Sequence, residues 1–137
     1  MNADDLRLRP VGVVRSELRD RELAPMQGTE GAPDAWIELL PEVLAAASSL
    51  APGDELLVLT WLHQADRTVL EVYPRDDRSR PLTGVFSTRS QDRPNPVGLH
   101  RVRVLAMEQG RIRVGPLEAV DGTPVVDLKP VLGADGD

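Results

Sequence analysis

The chain has 137 residues, 41% of them hydrophobic, no cysteine and a formal charge of −6, which suffices for one core and excludes disulfides, thiolate nucleophiles and cysteine-ligated zinc. Net acidity argues against nonspecific coating of nucleic acid, since affinity for phosphate comes from lysine and arginine. Only His63 and His100 offer imidazole, so no metal site is expected, and no apolar run approaches the roughly 18 to 20 residues of a membrane span.

The opening Met1-Asn-Ala-Asp-Asp-Leu-Arg7 lacks the apolar stretch of a signal peptide, so a soluble, cytoplasmic protein without membrane contact is expected. The expected organisation is a single domain over 1–137 with short flexible ends. Charge is uneven along it: five Arg face twelve acidic residues over 1–66, ten Arg face five over 67–113, and one Lys faces five over 114–137. The basic middle third has two readings, arginines scattered over solvated strands or an anionic ligand held between acidic flanks.

Leu8 to Ser16, with Val11, Val13 and Val14 around Gly12, suits a short strand. Glu17 to Asp34 is a long loop punctuated by Pro25, Gly28, Gly31 and Pro33, and loops of that length are usually functional. Ala35 to Leu40 reads as a second strand. Pro41 to Leu50 reads as a helix, with Pro41 in the first turn, where its missing N–H costs little. Leu56 to His63 is almost wholly apolar and β-rich, the pattern of a central strand covered on both faces.

Val69 to Tyr73, Gly84 to Ser87, Leu99 to Met107 and Arg111 to Val114 are further short strands, with Glu108-Gln-Gly110 as a hairpin turn. Arg101 and Arg103 alternate with Val102 and Val104, which predicts one buried and one charged face. Many short strands and one short helix predict a mainly β fold, a small, partly closed antiparallel barrel.

The densest chemistry lies in Gly84-Val-Phe-Ser-Thr-Arg-Ser-Gln-Asp-Arg-Pro-Asn-Pro-Val-Gly98. Pro94 and Pro96 push Arg93 and Asn95 into extended conformations, so the Asn95 carboxamide is held stiffly. Arg89 and Arg93 supply planar forks for a carboxylate or phosphate. By residue chemistry alone a structural loop with exposed arginines is the favoured reading. Farther on, Asp121-Gly122 lies between apolar runs, the usual chemistry of a tight turn. Glycine there also lets backbone amides at Gly122 and Thr123 approach a ligand.

Val85-Phe-Ser-Thr-Arg-Ser-Gln-Asp-Arg-Pro-Asn-Pro-Val-Gly-Leu99, followed by Asp121-Gly-Thr-Pro-Val-Val-Asp-Leu-Lys-Pro130, resembles the signature pair of the TsaA-like, TrmO-type tRNA methyltransferases. Val11-Gly-Val-Val-Arg-Ser16 is similar to that family's opening strand, and Trp61-Leu-His-Gln64 resembles the end of its central strand. The likeness spans about residues 8–132.

The resemblance implies a non-Rossmann β-barrel homodimer that binds S-adenosyl-L-methionine and methylates N6 of threonylcarbamoyladenosine in tRNA. Cofactor contacts carried over from it are Pro25, Met26, Gln27, His63, Gln64, Arg89, Leu99, Glu118, Ala119, Val120, Asp121, Gly122 and Thr123. Met26 and Glu118 depart from the best-studied branch. Longer members continue into a second domain, whereas this sequence ends seven residues after Pro130. Three classes are therefore weighed: an RNA methyltransferase, a methyltransferase of a small-molecule metabolite, and a non-catalytic cofactor-binding module.

A sulfonium is already an activated methyl donor, so the enzyme has to align donor with acceptor and deprotonate the acceptor; it needs no nucleophile of its own. His63 is the candidate base, since histidine titrates near neutrality, and it is equally a packed residue or a cofactor contact. Arg93 and Asn95 are assigned to the acceptor, Asn95 as its orienting catalytic group. Asp127 and Lys129 are expected to pair structurally, and Trp36, Trp61 and Tyr73 are expected to be core anchors.

Overall fold

The computed structural model describes residues 6–20 and 31–133. Eight strands occur among them: β1 (Gly12–Arg15), β2 (Ala35–Leu39), β3 (Glu55–Trp61), β4 (Glu71–Val72), β5 (Thr83–Gly84), β6 (Val97–Glu108), β7 (Arg111–Gly115) and β8 (Pro124–Pro130). Six of them form a barrel in the order β1-β2-β7-β6-β3-β8, and β8 returns to β1, so the barrel is closed where partial closure was expected. Every pairing is antiparallel. Closure removes the exposed strand edges that invite aggregation. β4 and β5 form a separate two-stranded ribbon.

Alternation along the strands sorts the side chains. In β6, Val102 and Val104 are buried while Arg101 and Arg103 face solvent. Val14, Ile37, Leu56, Val58, Ile112, Val114 and Val125 complete the interior, with Leu117 and Ala119 from the segment before β8. A six-stranded barrel is narrow, and β-branched side chains fill it.

That width explains a correction concerning the aromatic residues. Trp36, Trp61 and Tyr73 are not core anchors: each lies partly exposed beneath an arginine, Arg111 over Trp36 at 4.1 Å, Arg67 over Trp61 at 5.0 Å and Arg78 over Tyr73 at 5.1 Å. The helical segment is 3-10 over Pro41–Ala47, with Ala47 and the following Leu50 packed against the core where β3 begins. Strand character in 84–87 is limited to Thr83–Gly84, and Val85–Ser87 forms a 3-10 turn. Outside the barrel, the Ser79 hydroxyl, and secondly its amide, hold the Asp77 carboxyl below its ordinary range.

β3 also differs from expectation. Its burial alternates strictly, with Leu56, Val58 and Thr60 inside and Leu57, Leu59 and Trp61 only partly covered outside. The continuous apolar run therefore leaves one apolar face outside the barrel, and this face continues onto Val97 and Leu99 of β6, which are 41% and 45% exposed. Asp127 and Lys129 pair at 3.3 Å on neighbouring β8, as expected.

The seam of the barrel is tight at β1. Gly12 pairs with Leu39 on one side and Val125 on the other, and a Cβ there would lie 2.6 Å from the Glu38 backbone oxygen. Gly12→Ala should therefore force strand movement and lower unfolding free energy by about 1–3 kcal/mol, the usual cost of overpacking. A urea midpoint unchanged from wild type would refute this.

Candidate functional site

The barrel end opposite the 3-10 segment opens into a cleft. Its floor comes from the start of β6 (Val97 to His100), one wall from Leu62 to Gln64 just beyond β3, another from Arg89 to Gln91 with Arg93, and the last from Glu118 to Val120 with Thr123. Four segments distant in sequence meet here because β3, β6 and β8 are neighbours in the barrel.

The proline-rich loop owes its shape to two arginines. Arg93 donates from Nε to the Ser90 carbonyl at 2.8 Å and from its terminal nitrogen to the carbonyls of Val85 and Thr88. Its fork thus serves the loop's own backbone, although the residue borders the cleft. Arg67 donates to the Pro94 carbonyl at 2.7 Å and to Asn95 Oδ1 at 3.0 Å. Asn95 is exposed, its carboxamide oxygen is held by Arg67, and it lies outside the cleft lining. Arg89 lines the cleft without a hydrogen bond or ion pair among the described residues, leaving its donors available.

At the base of the cleft, three polar side chains are joined. The imidazole of His100, 4% exposed, has Nδ1 at 2.5 Å from Glu118 Oε1 and Nε2 at 2.7 Å from the hydroxyl of fully buried Thr60. Among the described residues no buried side-chain nitrogen or oxygen lacks a partner. Polar groups in such a site would otherwise cost several kcal/mol each.

Of the residues assigned to the cofactor, His63, Gln64, Arg89, Leu99, Glu118, Ala119, Val120 and Thr123 come together around this cleft. Asp121 and Gly122 do not line it. Asp121 accepts from the Ser16 amide at 3.0 Å and lies 3.7 Å from Arg19, while the Gly122 amide donates to the Val14 carbonyl at 2.8 Å. The Asp-Gly turn, with Gly122 at φ 83°, therefore fastens the loop to β1. Pro25, Met26 and Gln27 lie outside the described residues. His63 is exposed at the cleft wall, open to solvent and ligand alike.

Sequence reasoning passed over Thr60, Gly98 and His100 as site residues. A usable signal existed: His100 occupies an inward position of an alternating strand, where a polar ring requires a partner, but pairing across to Thr60 depends on the β3/β6 register. No group of three or more possible metal ligands occurs among the described residues.

Fold and cleft together define a small closed β-barrel with a polar ligand site at one end, built without a glycine-rich βα turn. The chain belongs to the family described as the tRNA-methyltransferase O N-terminal domain, whose model matches residues 13–135. A probable S-adenosyl-L-methionine-binding protein of Methanothermobacter thermautotrophicus is 48% identical over 131 residues, covering 95% of this chain and 93% of that one. An S-adenosyl-L-methionine-binding protein of Archaeoglobus fulgidus is 37% identical over 122 residues, covering 89% and 86%. A crystal structure of TrmO from P. aeruginosa superposes with a TM-score of 0.74 at 31% identity. That match covers 96% of this chain and 57% of TrmO, so the chain spans little more than half of that enzyme.

Replacing Arg93 by alanine removes donors from three loop carbonyls. Arg93→Ala should lower unfolding free energy by about 1–3 kcal/mol, and Arg93→Lys should recover only part of it because an ammonium lacks the planar fork. Chemical denaturation of both variants checks this; full recovery by lysine would contradict the clamp.

Proposed function

We propose that this protein is an S-adenosyl-L-methionine-dependent methyltransferase whose acceptor is N6 of threonylcarbamoyladenosine in tRNA, working as a cytoplasmic homodimer. The carrying observation is the cleft: eight residues assigned to the cofactor by family resemblance, from four separate segments, converge on one barrel end. Membership of the tRNA-methyltransferase O N-terminal domain family supports methyl transfer, and relatives of nearly equal length named as S-adenosyl-L-methionine-binding proteins support the cofactor.

Bound in the cleft, the cofactor supplies an activated methyl group. The protein's own contribution is placement: Arg89 offers a cationic fork to the carboxylate of the methionyl moiety, Leu99 and Val97 offer apolar surface, and His63 stands where it can take a proton from an acceptor. Asn95, engaged with Arg67 outside the cleft, acts on the acceptor side through the loop it steadies.

The dimer is supported by the outer face of β3 and β6. Leu57, Leu59, Trp61, Val97 and Leu99 form an apolar surface that runs into the cleft, and a second copy laid on it would cover the residues whose sequence pattern anticipates burial. A small-metabolite acceptor is the second reading. It is favoured by the pairing of barrel arginines with acids, Arg15 with Glu38, Arg101 with Glu55, Arg111 with Glu108 and Arg113 with Asp34, which leaves those cations less available to phosphates.

Calorimetry should give one cofactor per chain. Arg89→Ala should weaken that binding by roughly 1.5–3 kcal/mol, about tenfold or more, whereas Asn95→Ala should spare cofactor affinity and lower turnover. The reverse pattern would exchange the two roles, and absence of any cofactor binding would end the methyltransferase reading.

Mass spectrometry of tRNA nucleosides from cells with and without the gene should show the N6-methylated nucleoside only in the former. Identical nucleosides would reject the tRNA acceptor. Sedimentation should give twice the mass of one chain, and Leu59→Glu should yield monomers; a wild-type monomer would remove the dimer.

A further inference from the structure

Thr60 and His100, which are joined to Glu118, take part in no step described so far, yet they are among the most deeply enclosed polar side chains of the described residues. Thr60 is 0% and His100 4% exposed, and the Glu118 side chain is 12% exposed where it borders the cleft. Gly98 makes the arrangement possible. It pairs directly with Thr60, and a Cβ at residue 98 would stand 2.3 Å from Thr60 Oγ1 and 2.7 Å from His100 Nε2. Two short, rigid side chains cannot yield to such a contact, so the hydrogen bond passes through space that only glycine leaves open.

The connectivity sets the roles. Nδ1 faces a carboxylate and donates to it, and Nε2 is held by the threonine hydroxyl, so the ring cannot swing. Glu118 has one oxygen committed to His100, and among the described residues the other has no protein partner. A single free oxygen at the edge of a low-dielectric cleft suits one charged N–H donor, where a charge-assisted bond is strongest. Arg89 in the same cleft supplies the complementary positive pole.

We propose that Thr60 and His100 position Glu118 as the anionic pole of an amino-acid subsite, with Glu118 accepting from the α-ammonium of the methionyl moiety while Arg89 receives its carboxylate. His100 is a positioning residue that acts through Glu118, and Gly98 is the specificity of the backbone for that relay. This inference rests on the methyl-donor reading of the cleft and adds to it which end of the donor the relay recognises.

The test uses calorimetry on the full chain with two probes, S-adenosyl-L-methionine and 5′-methylthioadenosine, which keeps the nucleoside and lacks the amino-acid end. Glu118→Gln and His100→Leu should weaken S-adenosyl-L-methionine binding tenfold or more and change methylthioadenosine binding by less than about twofold. His100→Asn, which restores an N–H near the position of Nδ1, should recover most of the loss. Thermal melts of each variant report folding separately, and Thr60→Val should lower the melting temperature with a smaller loss of affinity in the same direction.

If His100→Leu and His100→Asn bind S-adenosyl-L-methionine equally, His100 does not position Glu118. Equal losses for both probes in folded variants would overturn the ammonium assignment and move Glu118 to the nucleoside. Failure of the wild-type chain to bind S-adenosyl-L-methionine would instead sink the methyl-donor reading, and with it the relay.

Discussion

The seven-pair antiparallel ladder between β3 and β6 sets Val58 opposite His100 and Thr60 opposite Gly98 on the inner face, and Leu59 opposite Leu99 and Trp61 opposite Val97 on the outer. Side chains alternate, so this one register decides three things at once: which valines build the core, which polar groups meet at its end, and which apolar residues are left outside. A slip of one residue would place His100 in solvent and Arg101 in the core. The constraint is strong because each face has a different composition, and a wrong register loses apolar burial and strands charges together.

Around that ladder the barrel separates tasks by end. Ala47 and Leu50 pack where β3 starts, while the cleft opens where β3 stops and β6 begins. The loops at the open end are stiffened by bonds to backbone carbonyls: Arg93 to Ser90, Val85 and Thr88, and Arg67 to Pro94. Such stiffening lowers the ordering cost on ligand binding, since the walls of the site are already in place. Arg93 shows that an arginine in a motif need not be a ligand contact; its donors are consumed by the loop that presents Arg89.

The excess of arginine in the middle third also divides once the strands are placed. Arg101 and Arg111 form ion pairs on the barrel surface, whereas Arg89 stands in the cleft without a protein partner among the described residues. Exposed pairs of this kind contribute little to stability, so their effect is chiefly to neutralise field that would otherwise attract phosphate. The reading of arginines scattered over solvated strands therefore holds for Arg101 and Arg111, while Arg89 keeps its donors available at the cleft.

Local pattern alone determined the mainly β character, the alternation in β6 and the turn at Gly110, because each depends on neighbours within a few residues. The family resemblance likewise marked out Arg89, Glu118 and Thr123 before any geometry. Only the tertiary structure decided that the barrel closes through Gly12, that the tryptophans stay outside a narrow interior, and that Asp121 binds Ser16 while Glu118 faces the cleft. Thr60 and His100 are 40 residues apart. Their meeting follows from strand register, a long-range pairing that no local periodicity encodes.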